Sequence, residues 1–189
     1  MPNYPAWIFL VPPALLLLWV ALTYNALVRL RQHVGESWAG IDTELKRRHD
    51  LVPNLVEAVK GYAAHERQTL EAVVSARDRA AAAAGTPGQQ ARQEQELVSS
   101  VNRLLAVAEG YPDLKASANF LELQRELANT EDRIQAARRF FNANVRDLNT
   151  RVAVFPSSLV AGMFGFRPAE FFEVESAAVR RVVDVSFGS

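Results

Sequence analysis

The chain has no cysteine. Disulfides, thiolate chemistry and cysteine-based zinc or iron–sulfur sites are therefore excluded. It has no excess of either charge, since 21 basic residues face 21 acidic ones. No net field draws it to nucleic acid, and no such partner is expected. Catalytic signatures are missing too. There is no Gly-x-Ser-x-Gly elbow, no phosphate-cradling glycine loop and no His-Glu-x-x-His pair. Neither an enzyme nor a cofactor is expected on that account. The most telling absence is local: the first 28 residues carry no charge, and Arg29 is the first ionisable side chain.

What fills that uncharged stretch is apolar. Residues 6–22 hold the run Leu15-Leu16-Leu17-Leu18 and are almost wholly hydrophobic, and Tyr24 to Val28 extend them without charge. A helix of this length crosses the roughly 30 Å hydrocarbon core of a bilayer. Tyr4 and Trp7 at one end, and Trp19 and Tyr24 at the other, suit interfacial aromatic belts. Pro12-Pro13 predicts a kink, or a helix that starts there. A cleaved signal peptide is the rival reading, but no basic side chain precedes the apolar run and no convincing cleavage site follows it. Arg29 and Arg31 flank only the carboxyl end. The positive-inside rule then puts the amino terminus outside and the remainder in the cytoplasm.

Beyond the anchor, about 160 residues remain, enough for one domain with its own core. Four helical segments are legible. The first continues from the anchor through Leu27, Leu30, Val34, Trp38, Ile41 and Leu45, and ends at Val52-Pro53. The second runs from Pro53 to about Ala84 through Val59, Tyr62, Leu70 and Val73, before Gly85-Thr86-Pro87-Gly88. The third covers about Gln89 to Glu109. The fourth runs from Phe120 through Leu123, Leu127, Thr130, Ile134, Ala137, Phe141, Val145, Leu148 and Val152 to Phe155, in steps of three and four, until Pro156. That is close to a heptad seam with Thr130 as its polar member.

The expected fold is all-α: an N-terminal transmembrane helix (1–28), an antiparallel up-down four-helix bundle (29–156) and an irregular tail (157–189). If the chain stays helical through Pro53, the alternative is a three-helix bundle with a kinked long first helix. The fourth helix is expected to be about twice as long as the first segment's extramembrane part, with its Phe155 end at the membrane surface. The tail's Arg181 to Phe187 has strand-like composition but no partner strand, so an extended segment is expected there.

Collinear strings then resemble the LemA family. They are Trp38-Ala39-x-Ile41-Asp42, Asp50-Leu51-Val52-Pro53-Asn54-Leu55-Val56, Gly61-Tyr62-Ala63-x-His65-Glu66, Tyr111-Pro112-Asp113-Leu114-Lys115, Thr130-Glu131, Phe141-Asn142, Phe155-Pro156 and Gly165-Phe166. The family's usual Tyr-Asn pairs in the last helix stand here as Phe141-Asn142 and Leu148-Asn149, so no role for those hydroxyls carries over. The resemblance implies a bacterial single-pass membrane protein with a cytoplasmic helical bundle and no established catalytic activity.

Several residues have two readings each. His49-Asp50 and His65-Glu66 are the histidine–carboxylate pairs, and Glu131 added to the second makes a conceivable metal site. Zinc wants three or four converging ligands, so buried or capping histidines are the preferred reading and no metal is assigned. Tyr62, Thr130, Asn142 and Asn149 read as buried partners that fix helix register, or as a groove for peptide or lipid. Trp38 reads as core. Phe164, Phe166, Phe171 and Phe172 either cover the bundle end or form a docking patch. Lys46-Arg47-Arg48, answered by Asp42, Glu44 and Asp50, reads as a solvated helix face. The partners expected are the lipid bilayer and another protein or a second copy of the chain.

Overall fold

The computed structural model describes residues 7–173, and the side chains from residue 10 onward. Every regular element among these is a helix: α1 Trp7–Lys60, α2 Arg67–Ala82, α3 Pro87–Ala108, α4 Pro112–Lys115, α5 Ala118–Ala153 and α6 Ser157–Met163. The strand-like residues 181–187 lie outside the described range.

Two expectations about the first helix are corrected. It is already helical at Trp7, ahead of Pro12-Pro13, and it does not stop at Pro53 but runs on to Lys60. Proline's fixed φ is compatible with a helix, and its cost is the missing N–H and the carbonyl left over four residues earlier. For Pro53 that carbonyl belongs to His49. It accepts instead from Arg77 Nε on α2 at 3.1 Å. A tertiary donor thus replaces the lost helical one, while the Pro53 ring faces solvent. The break falls later, at Gly61, where the poor helix propensity of glycine meets a pair of turns, Tyr62 N–H to Val59 and Glu66 N–H to Ala63. The part of α1 that follows the uncharged stretch is therefore nearly as long as α5, and the expected twofold mismatch is absent.

This substitution of donors is testable. Arg77→Met is expected to cost about 1–2 kcal/mol. In a Pro53→Ala background the His49 carbonyl recovers a backbone donor, so the same substitution should cost about half as much. Equal losses in both backgrounds, read from thermal midpoints, would show that Arg77 does not compensate for the proline.

The other boundaries follow local chemistry. Thr86 caps α3 in a reciprocal capping box with Gln89, and Pro87 occupies the first turn. Helix α6 closes with Gly165 at φ +70°. Phe166 N–H reaches the Ala161 carbonyl at 2.9 Å and Gly165 N–H reaches that of Gly162. This is a Schellman end, and it explains why a glycine stands before Phe166.

The helices contribute to two compact units. One takes the described residues of Met1–Arg48 and Ala128–Phe171, and the other those of His49–Leu127 with Phe172 and Glu173. In the first, α1 and α5 run antiparallel: the Trp38 ring packs at a tilt against Phe141 with centroids 5.3 Å apart, Glu44 faces Arg133, and Arg48 meets Glu131. Leu27, Leu148, Val160 and Ala161 form a buried cluster at the end where α6 returns, with Trp19, Val20 and Phe166 packed on it. In the second, α2 and α3 form a helical hairpin. Its core includes Leu55, Val59, Val73, Leu97, Leu104 and Phe120. The inward stripe of α5 is filled from Phe120 to Leu148 within this chain.

Candidate functional site

The chemistry-bearing residues fall into three local arrangements. The first is in the unit holding the helical hairpin. Val52, Leu55 and Val59 mark the buried stripe of α1 in this unit, and His49 lies beside it. His49 Nε2 donates to Glu94 Oε1 at 3.0 Å, with both side chains buried. Gln90 Nε2 donates to the same oxygen at 3.1 Å. Glu94 itself interrupts the apolar stripe Ala91, Leu97, Val101 and Leu104 of α3. A histidine on one helix thus meets a carboxylate on another, as a register-fixing pair requires.

The second arrangement is in the other unit. Arg48 is buried, and its Nη1 donates to Glu131 Oε2 at 2.7 Å, while Gln135 Nε2 donates to Glu131 Oε1 at 2.7 Å. The reading of Lys46-Arg47-Arg48 as one solvated face is therefore corrected at Arg48, which points inward on the stripe. Lys46 does stay exposed. Asp42 holds its ammonium above the usual value, first through a hydrogen bond and then through charge. A raised lysine pKa contributes through neutral pH and is lost only as alkaline solution removes the proton.

The third arrangement holds the returning segment. Asn149 Nδ2 donates to the Ala169 carbonyl at 2.9 Å, and Ala169 N–H donates to Asn149 Oδ1 at 2.7 Å. The side-chain amide acts as a peptide-like partner for the extended chain after α6. Asn149→Leu should remove both bonds and free residues 164–171, for a loss of about 1–2 kcal/mol. Proteolysis after Arg167 in the folded protein reads this directly, and an unchanged cleavage rate would refute it.

The remaining sequence candidates sort by burial. Thr130 and Asn142 are buried on α5, and Trp38 is half-buried against Phe141. Phe141 and Leu148 are buried in the core. Tyr62 is not inward but half-exposed, because α1 ends before it and the helical period no longer applies. His65 is exposed in the same turn rather than buried, and Glu66 is half-buried. Asp50, Pro53, Asn54 and Pro112 are exposed, and Tyr111 packs on the core of the hairpin unit. Phe172 is buried and Phe171 half-buried, whereas Phe155 and Pro156 are exposed. Glu131 is engaged by Arg48 and Gln135. Among the described residues no three histidines or carboxylates converge as a metal site would require.

Arg77 and Glu94 were not singled out from the sequence, and Arg48 was read there only as part of a solvated face. For Arg48 and Glu94 a signal existed, since each is a charge standing at an apolar position of a regular stripe. Arg77 gave none.

Taken together, the described residues define an all-helical protein with one N-terminal helix long and apolar enough to cross a membrane. The LemA family model matches residues 37–187, and the chain belongs to the LemA family. Magnetosome protein MamQ of Magnetospirillum gryphiswaldense is 22% identical over 182 residues, covering 82% of this chain and 66% of that protein. Magnetosome protein MamQ 2 of Paramagnetospirillum magneticum is 30% identical over 79 residues, 42% of this chain and 29% of that protein. Protein LemA of Metamycoplasma hominis is 25% identical over 163 residues, 86% of this chain and 74% of its own. The chain thus spans just under two thirds of the first of these relatives and under a third of the second.

Proposed function

We propose that this protein is a membrane-tethered scaffold of the bacterial cell membrane, with its amino terminus outside and its helical domain in the cytoplasm. The observation that carries the proposal is the continuity of α1 from the apolar stretch into the domain core. A helix without a break transmits position, so the domain is held at a fixed distance from the bilayer, where local concentration favours partner capture. Leu15, Leu16, Leu17 and Leu18 support the anchor, because they are 56–70% exposed. Four consecutive residues point around the whole helix, so no single protein face covers them, and lipid does. We further propose that α1, α2, α3 and α5 pack as an up-down bundle whose outer faces meet a protein partner. The α5 seam is consumed inside the chain, so self-association through it forms no part of this reading. Catalysis forms no part of it either.

Full-length protein should resist extraction from membranes by alkaline carbonate. In gentle crosslinking at native expression it should recover a partner at constant stoichiometry. Release by carbonate would end the tether. Recovery of the chain alone would end the scaffold.

A further inference from the structure

Residues 152–166 are the second uncharged apolar run of this chain, fifteen residues between Arg151 and Arg167. They contain α6, whose seven residues include no charge. Ser157, Val160 and Ala161 face inward and are buried. The opposite face is apolar as well: Leu159 is 62% exposed and Met163 73%, and the flanking Phe155 is 75% exposed. A helix that is hydrophobic all round belongs inside protein or inside lipid. This one sits on the protein with one face only.

The position of that face identifies what covers the other. Val160 and Ala161 share a buried cluster on which Trp19 and Val20 of the apolar stretch are packed. The Phe164 ring lies 4.8 Å from Tyr24, and the Phe166 ring 5.8 Å. Helix α6 therefore lies level with the carboxyl end of the apolar stretch, the part of α1 in which Leu18 and Leu22 are also exposed. Arg31 stands over the Phe166 ring at 5.3 Å, so a cation borders the patch on the side where phosphate headgroups would lie. A run of this length flanked by arginines has the size of an interfacial segment and is too short to span.

We propose that residues 152–166 form a second membrane foothold, with α6 lying in the boundary between headgroups and acyl chains and Phe155, Leu159 and Met163 immersed in lipid. This rests on the tethered reading of α1. One helix leaves a domain free to rotate about its axis. A second foothold beside it fixes the orientation of the domain as well as its distance.

The absence of cysteine makes the test direct, since one introduced thiol carries one label. Full-length protein bearing an environment-sensitive fluorophore at Phe155→Cys, Leu159→Cys or Met163→Cys is reconstituted in vesicles of phosphatidylethanolamine and phosphatidylglycerol. Leu16→Cys reports the anchor, and Phe140→Cys, exposed on α5, reports water. All five side chains are exposed, so labelling leaves the packing intact. The expected result is blue-shifted emission at 155, 159 and 163, quenching by shallow doxyl lipids, and loss of the iodide quenching seen at 140. If Leu16 is quenched by lipid while 159 and 163 remain open to iodide, the foothold is overturned and the anchor stands. If Leu16 also stays open to iodide, the tether fails and takes the foothold with it. Shielding of 159 and 163 from both quenchers would mean that protein, not lipid, covers α6, and would overturn the proposal.

Discussion

His49→Leu is expected to lower stability by about 3 kcal/mol. Its ring and the Glu94 carboxylate are both buried, and their hydrogen bond is 3.0 Å. Leucine fills most of the space but donates nothing. Glu94 keeps Gln90 Nε2 at 3.1 Å, yet it loses the ring donor in a place that water does not reach. For a chain of this size the loss corresponds to a drop of roughly 6–12 °C in the thermal midpoint. Two companions isolate the cause. Glu94→Gln keeps an oxygen acceptor and should cost about 1 kcal/mol. His49→Leu with Glu94→Leu removes both polar partners and should recover much of the loss, because a matched apolar pair needs no donor. The Arg77 bond is untouched in all of them, since it uses the His49 backbone carbonyl. A double variant as unstable as the sum of its singles would refute coupling between the pair.

The legible parts of the fold are those fixed by neighbouring residues. The seam of α5 reads directly from steps of three and four, and its members from Phe120 to Leu148 are buried, apart from the half-buried Ala137. The start of α3 reads from Thr86, Pro87 and Gln89, which make the cap themselves. The end of α1 does not read, because it depends on a contact 28 residues away. Pro53 carries a strong local signal for a break, and the Arg77 donor that answers it sits on another helix. Tyr62 and His65 were misplaced for the same reason: one displaced boundary shifts every burial assignment behind it. The tail divides in the same way. Gly165 announces a helix end, but no local pattern announces that Asn149 clamps Ala169. The polar pairs were half legible. A charge on an apolar stripe marks Arg48 and Glu94 as paired, while the identity of each partner comes only from the packing of helices.

The ion pair of Arg48 and Glu131 should show an asymmetry that its sequence does not suggest. The Arg48 side chain is 5% exposed and that of Glu131 is 38% exposed. Removing the carboxylate leaves a guanidinium deprived of that counter-charge where solvent is scarce. Removing the guanidinium leaves a carboxylate that water already reaches, and Gln135 still donates to it at 2.7 Å. Glu131→Leu is therefore expected to cost about 3 kcal/mol or somewhat more. Arg48→Met should cost only about 1–2 kcal/mol, since its methylene stem is replaced by an apolar chain of similar reach. Combining them should bring stability above that of Glu131→Leu alone, because the buried cation that has lost the Glu131 counter-charge is then gone. Thermal midpoints of the three variants in one detergent decide the matter by order rather than by size. Glu131→Leu must be the lowest. If Arg48→Met melts first, the pair is held together by arginine packing and not by the need to neutralise a buried charge, and the placement of Glu131 opposite Arg48 would have no electrostatic cause.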